Sequence, residues 1–302
     1  MDTAIAIFAF NRPRHLKRML ESLELNSQIT KLDVHIFVDG ARHEADDIAV
    51  NQTVAVAESW QGGKTKKVVV SPRNKGLAKS LREGVSQVLR EFDSIIVIED
   101  DLILNPDFLD FMISGLRAFQ SDRRVVSVQG YGYPIDLTSS SPYFLRGAGS
   151  WGWATWRDRW EAANWDAQSI LHKLKSEKLI RQLDFGGTYF YSQMLRKQIG
   201  GKIDSWAVPF YCDAFSKGLL SLYPAVSLVE NGGMDGSGTH EGSDLASTYS
   251  VRTGTNELVL QDIEIVESSE AREMLTKFFR STFGLRARWR RIIHRIWDSR
   301  KI

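Results

Sequence analysis

Asp93-Ser94-Ile95-Ile96-Val97-Ile98-Glu99-Asp100-Asp101-Leu102-Ile103-Leu104-Asn105-Pro106 contains an unbroken apolar run that ends in three acids. Ile95 to Ile98 show no polar alternation, as expected for a central parallel strand covered on both faces. Glu99, Asp100 and Asp101 repel one another, so a fold that holds them at a strand end must supply a cation or hydrogen bonds. A divalent ion with oxygen ligands, Mn2+ or Mg2+, is the simplest supply. An acidic strand end that merely faces water is the plainer alternative.

Upstream, Thr3 to Phe10 reads as a strand stopped by Asn11-Arg12-Pro13. His15 to Leu25 reads as a helix, with Leu16, Met19, Leu20 and Leu23 at helical spacing. Leu32 to Val38 is a second strand ending at Asp39-Gly40, and Ile48 to Trp60 is a helix. Lys67 to Ser71 is a third strand, followed by Pro72-Arg73-Asn74-Lys75-Gly76, and Leu77 to Phe92 is an amphipathic helix. Alternating strands and helices imply a doubly wound α/β sheet with right-handed crossovers. The strand ends then converge on one edge carrying Asn11, Arg12, Asp39, Gly40, Asn74 to Gly76 and the acid triplet. Open α/β sheets bind their ligands at that edge.

Downstream, Asp107 to Phe119 reads as a helix and Val125 to Gln129 as a strand. Gly147 to Trp156 mixes glycines with Trp151, Trp153 and Trp156, whose spacing suggests alternate faces of an extended segment. Helical patterns over Ile170 to Leu183 and Tyr189 to Gln198, a strand-like Leu219 to Tyr223, and a glycine-rich loop from Asn231 to Gly242 complete the globular part.

At 302 residues the chain can bury a large core, and its charged and apolar fractions argue against global disorder. The nine tryptophans suit a core or a surface that stacks on sugar faces. Cys212 is the only cysteine, which excludes an intramolecular disulfide and a cysteine-based zinc site. No leader precedes the first strand and no apolar run approaches the ~18 residues that span a bilayer, so a cytoplasmic location is expected.

In order along the chain, Phe8-Ala9-Phe10-Asn11-Arg12-Pro13, Val38-Asp39-Gly40, Asn74-Lys75-Gly76-Leu77-Ala78 and Ile98-Glu99-Asp100-Asp101 resemble a GT-A glycosyltransferase of the family 2 type. The likeness runs from about residue 3 to residue 242. It is greatest to the branch containing the eukaryotic N-acetylglucosaminyltransferase that starts complex N-glycans. That branch carries a Glu-Asp-Asp triplet and a Gly-rich, Trp-containing segment like Gly149 to Trp156. The resemblance implies a GT-A fold, a Rossmann-like doubly wound mixed sheet, over 1–256. A basic, amphipathic helical extension follows over 257–302.

It also implies a nucleotide-sugar donor, UDP-linked, a divalent metal, and inversion at the anomeric carbon. Residue by residue, Phe10, Asn11, Arg12 and Asp39 would contact base and ribose, and Asn74, Gly76 and Ala78 would line the donor site. Asp101 would bind the metal, while Glu99 and Asp100 would hold sugar or ribose hydroxyls. Asp204 stands before Trp206 much as the family's catalytic carboxylate stands before a tryptophan, although Ser205 replaces a second acid.

Such a transfer needs neutralisation of the departing diphosphate and removal of the acceptor proton. Asp204 is the candidate base, which partial burial beside Trp206 would suit to work near neutral pH, with Asp213 as fallback. Asp204 is equally readable as a helix N-cap. His240, in Gly236-Ser237-Gly238-Thr239-His240, would reach the diphosphate or metal, or is a surface histidine in a turn. Gly149 and Trp151 are placed at the site; Tyr131, Trp160 and Trp165 are assigned to packing.

The net charge is only +2, yet Arg286, Arg288, Arg290, Arg291, Arg295, Arg300 and Lys301 crowd the end of the chain. With Leu275, Phe279, Ile292, Ile296 and Trp297 between them, residues 275–302 suit peripheral contact with a membrane surface, packing on the domain, or a partner contact. A saccharide or lipid-linked glycan acceptor in surface-polysaccharide assembly, at the inner face of the plasma membrane, fits the first of these. No nucleic acid is expected. The rivals are a sugar nucleotidyltransferase and a catalytically inactive glycan-binding protein on the same scaffold. The first lacks its glycine-rich loop at Asn11 to His15; the intact triplet and Asp204 argue against the second. Donor sugar, linkage and oligomeric state are not legible.

Overall fold

In the computed structural model, which describes residues 1–233, 249, 251, 253, 254, 260 and 263–283, strands and helices alternate as expected through the first hundred residues. They are β1 (Thr3–Ala9), α1 (Pro13–Glu24), β2 (Asp33–Val38), α2 (Glu44–Ser59), β3 (Thr65–Val70), α3 (Leu77–Val88) and β4 (Ser94–Glu99). Then come β5 (Leu102–Leu104), α4 (Phe108–Phe119), β6 (Val125–Gln129), β7 (Tyr143–Arg146), β8 (Trp153–Trp156) and α5 (Arg157–Glu161). The rest is α6 (Ala167–Ser176), α7 (Ile180–Leu183), α8 (Tyr191–Ile199), α9 (Ala207–Ser216), β9 (Leu220–Tyr223), β10 (Val229–Asn231) and α10 (Ser269–Phe283). Helix α2 starts earlier than the apolar pattern suggests, because Glu44, Asp46 and Asp47 favour a helix N-terminus.

Eight strands form one mixed sheet in the order β3-β2-β1-β4-β8-β6-β9-β7. β1 to β4 are parallel, β8 enters antiparallel between β4 and β6, and β7 closes the far edge antiparallel to β9. This is the doubly wound mixed sheet of the GT-A fold. Alternate residues feed two cores. Ile5, Ile7, Val34, Ile36, Ile96 and Ile98 pack with residues of α1, α2 and α4. Ala4, Ala6, Phe8, Phe37, Ile95 and Val97 pack with Leu81 and Val85 of α3 and Phe210 of α9. The chain steps outward from β1 to β3, then returns to the other side of β1 as β4. The crevice at the carboxyl ends of β1 and β4 is therefore the topological switch point, where such sheets bind ligands.

Trp153 and Trp156 lie in the interior. Trp153 is fully buried and stacks on Trp206 at 4.9 Å and on Trp160 at 5.7 Å. Helix α10 buries Ala271, Leu275 and Phe279 in a cluster with Tyr143, Leu145, Phe185 and Tyr223. Arg272 sits 3.7 Å over the Phe185 ring, and Arg146 N donates to Glu267 at 3.1 Å. Over 269–283, of the three expected alternatives, membrane contact, packing on the domain and a partner contact, the apolar face takes the second: it is turned onto the protein body. The arginine-rich residues 284–302 lie outside the described residues. Among the described residues, no helix is long and apolar enough to cross a membrane.

Candidate active site

The acid triplet and the end of β1 are tied together across the switch point. Phe8 pairs with Glu99, Asp100 N donates to Phe8 O at 3.0 Å, and Phe10 N donates to Asp100 Oδ2 at 3.4 Å. Arg12 Nη2 lies 2.5 Å from Asp100 Oδ1 and 3.0 Å from Asp101 Oδ2. Pro13 starts α1 immediately afterwards, where its fixed φ suits the first helical residue. Arg12, expected on base or ribose, is here the counter-ion of the triplet.

One guanidinium does not neutralise three carboxylates. Burial pushes the largely buried Glu99 up to about 8, with Asp101 and Asp100 adding repulsion and Arg12 opposing it. Burial also raises Asp100 to about 6, against the pull of Arg12. For Arg12 burial lowers the pKa, but the two aspartates outweigh it and hold the guanidinium above its ordinary value.

The triplet continues directly into β5, which pairs antiparallel with β10. Gly232 N donates to Asp101 O at 2.7 Å, and a Cβ on Gly233 would lie 2.2 Å from Asp101 Oδ2. The turn at Asn231 to Gly233 therefore forms a wall against Asp101, and the sequence showed it only as glycine-rich. His240, farther along that loop, lies outside the described residues.

The neighbouring strand ends form a second cluster. Asp39 is buried, and its carboxylate accepts from Gly40 N at 3.0 Å, from Lys75 N at 2.9 and 3.1 Å, and from Gly76 N at 3.0 Å. Asn74 Nδ2 donates to Gly40 O at 2.8 Å. Asp39, expected to contact base and ribose, also holds the loop before α3 onto the end of β2. Gly76 caps α3 with φ of 76°, a conformation that favours glycine. Ala78 is buried in the first turn of that helix. Phe10 and Asn11 are supported by two residues that sequence reasoning passed over. Asn11 Nδ2 donates to Asp46 at 2.8 Å, Arg42 Nε donates to Asp46 at 2.9 Å, and the Arg42 guanidinium lies 5.0 Å over the Phe10 ring. The hydrogen bond from Arg42, aided by Asn11, holds the Asp46 carboxyl well below its usual range. The available signal was the Arg42, Asp46 spacing of four at a helix start.

Asp204 reaches this cluster: a Cβ on Gly76 would stand 3.6 Å from its Oδ2. The expected burial beside Trp206 does not occur. Trp206 turns into the core against Trp153, while Asp204, two residues earlier, is exposed. Nor is Asp204 a helix cap, because α9 begins after Trp206 and Val208 N donates to Ser205 Oγ at 3.3 Å. Asp213, the fallback base, is buried within α9. Lys217 Nζ at 2.6 Å and Asn164 N at 2.9 Å engage it there, in a cluster that does not include the strand-end residues.

Val97 pairs with Trp153, so the antiparallel chain leading into β8 passes the carboxyl end of β4. Trp151 lies there, edge-on to Tyr131 at 4.7 Å and to Tyr249 at 5.6 Å. Gly149 faces inward: a Cβ on it would meet Gln129 Oε1 at 2.6 Å.

The triplet has the chemistry of a hard-cation site, since its carboxylate oxygens exceed the positive charge available. Among the described residues, no group of three or more His, Cys, Asp or Glu is arranged to hold a metal alone. An ion here would draw its other ligands from water and substrate phosphates, as Mg2+ commonly does.

The Glycosyl transferase family 2 pattern matches residues 4–156, just over half of the chain, and takes in Arg12, Asp39 and the triplet. Among solved structures, that of S. aureus TarS 1-349 in complex with UDP is 17% identical and covers 46% of this chain and 39% of that one, with a TM-score of 0.32. Glucosyl-3-phosphoglycerate synthase from Mycobacterium tuberculosis, in complex with Mn2+, UDP and glucosyl-3-phosphoglycerate, is 13% identical over 52% of this chain and 57% of that one, with a TM-score of 0.33. The apo form of mouse xyloside xylosyltransferase 1 is 12% identical over 72% and 84%, with a TM-score of 0.42. The chain thus spans about two fifths of the TarS structure and under three fifths of the synthase. No curated protein matches it.

Proposed function

Because the chain belongs to glycosyl transferase family 2, we propose that it is a metal-dependent, inverting glycosyltransferase that moves a sugar from a UDP-linked donor to a saccharide or lipid-linked glycan. The observation that carries this reading is the Arg12 guanidinium bridging Asp100 and Asp101 beside Glu99, at the switch point of the sheet. An acid cluster there that one guanidinium compensates only in part suits a metal-bound diphosphate better than it suits folding alone.

In this reading Asp101, with water and diphosphate oxygens, holds Mn2+ or Mg2+, which would supply Lewis-acid stabilisation of the leaving group. Arg12 holds the carboxylates of Asp100 and Asp101 in place and adds positive charge beside the phosphates. Glu99 and Asp100 accept or donate hydrogen bonds to sugar or ribose hydroxyls according to their protonation. The Asp39-clamped loop at Asn74 to Gly76 lines the donor and sets its distance from Asp204. Asp204 takes the acceptor hydroxyl's proton as the sugar carbon is attacked opposite the leaving group. Its exposure fits a base that becomes desolvated only when both substrates are present.

The acid triplet and the order Asp204, Trp206 support a place near the branch that includes the N-acetylglucosaminyltransferase of complex N-glycans. The absence of a spanning helix among the described residues and the basic sequence of 284–302 support work on the cytoplasmic side of a membrane, in surface-polysaccharide assembly. The test is release of UDP from a panel of UDP-sugars with Mn2+, with and without added oligosaccharide. Turnover that falls by about a hundredfold or more in Asp204→Asn fits a positioned base. A panel with no metal-dependent turnover rejects the transferase reading.

A further inference from the structure

Between α3, the end of β3 and the loop before α9 lies a groove of about 950 Å3. It opens at Lys75 and Asp204, beside the candidate active site, and extends to Arg90. Lys79, Arg82 and Ser86 recur every three or four residues of α3, so they form one stripe along the groove, with Lys75 just before the helix and Arg90 just beyond it. At the helical rise, Lys79 and Arg90 are about 16 Å apart.

The charges along this stripe are unevenly paired. Lys75 and Lys79 both approach Glu83, at 2.9 and 3.8 Å. Arg82 and Arg90 are exposed and have no carboxylate partner among the described residues. Arg82 is nevertheless held in place, its guanidinium 4.5 Å over the ring of Trp165, which stacks in turn on Phe210 at 5.7 Å. A guanidinium fixed in this way is prepared for an anion without further loss of side-chain freedom.

We infer that this groove is an acceptor subsite for an acidic saccharide chain. Its charged sugars meet Arg82 and Arg90, while its reacting end lies at Asp204. The inference rests on the transferase reading, and it adds the class of acceptor. Ser80, Gln87 and Gln198 line the same groove and supply hydrogen bonds for hydroxyls. Trp165, engaged by Arg82 and Phe210, and the buried Trp160 offer no stacking platform of the kind single-stranded nucleic acid uses. The chain's own arginine-rich segment over 286–301 has the same sign as the groove and is not its complement.

The test is calorimetry on the full chain with a tetramer of galacturonic acid and a neutral maltotetraose. Wild type is compared with Arg82→Ala, Arg90→Ala and Arg82→Lys, and UDP with Mn2+ is titrated in parallel. The acidic tetramer should bind about tenfold more tightly than the neutral one, and each alanine variant should lose about tenfold, as for one charge-assisted hydrogen bond. Arg82→Lys should keep part of the affinity, and UDP binding should not change. Equal binding of the two tetramers, or alanine variants without effect, overturns the subsite even where UDP still binds. Tighter binding of an oligonucleotide of equal charge overturns it as well. Arginine-dependent binding of the acidic tetramer without any UDP binding supports the groove as a saccharide site and rejects the transferase reading instead.

Discussion

Arg12 Nη2 meets Asp100 Oδ1 at 2.5 Å, fastening the loop after β1 to the loop after β4. Removing one partner of a buried pair leaves the other charge uncompensated, at a cost of about 3 kcal/mol. Arg12 keeps 21% of its side-chain surface exposed, so solvent screening reduces that figure. Arg12→Met should destabilise the protein by about 2 kcal/mol in urea unfolding, and Arg12→Lys by less. A neutral Arg12→Met would mean that the triplet does not depend on this guanidinium.

Asp39→Asn tests the clamp on the loop before α3. Its carboxylate receives hydrogen bonds from the backbone N–H groups of Gly40, Lys75 and Gly76, and an amide turns one acceptor oxygen into a donor facing such groups. The expected loss is about 1–3 kcal/mol, with faster amide exchange at Lys75 and Gly76. Unchanged exchange at those two amides would show that the loop is held by other contacts.

The pH dependence follows from Glu99. Burial, with help from Asp101 and Asp100, raises its folded pKa from 4.5 to about 8. Between those values the folded protein binds a proton that the unfolded chain has released. Stability therefore falls as pH rises through this window and levels off above it. Thermal melts in chelator from pH 5 to 9 should show that fall, and Glu99→Gln should flatten it above about pH 6, below which Asp100, raised to about 6, contributes a fall of the same sign. A slope above about pH 6 that survives in Glu99→Gln would place its origin in another group.

Much of this edge was legible in the sequence because the two periodicities are strong. Ile95 to Ile98 is too uniformly apolar for an exposed strand, and Leu16, Met19, Leu20 and Leu23 mark one helix face. β7 was not legible: Tyr143–Arg146 is four residues long, too short for alternation to stand out from a loop. Directions of side chains were also hidden. Asp39 lies at the expected strand end, yet its carboxylate turns back onto backbone N–H groups, a choice made by the fold of the next loop. Asp204 and Trp206 are near neighbours in the chain, but the start of α9 sends the ring into the core and leaves the carboxylate outside. In α10 the helical spacing of Leu275 and Phe279 was clear, whereas the partner of that face was not, because membrane and protein interior both accept apolar residues.

Asp101 as the metal-binding carboxylate of a UDP-sugar site is tested most directly by calorimetric titration of UDP, with and without Mn2+, on the wild type and on Asp101→Asn. The expected outcome is UDP binding that requires Mn2+ and weakens by about tenfold or more in Asp101→Asn, in line with loss of one charged ligand. Binding of equal strength without metal, or an Asp101→Asn variant that binds as the wild type does, would remove Asp101 from that role. A complete lack of UDP binding would reject the donor site itself.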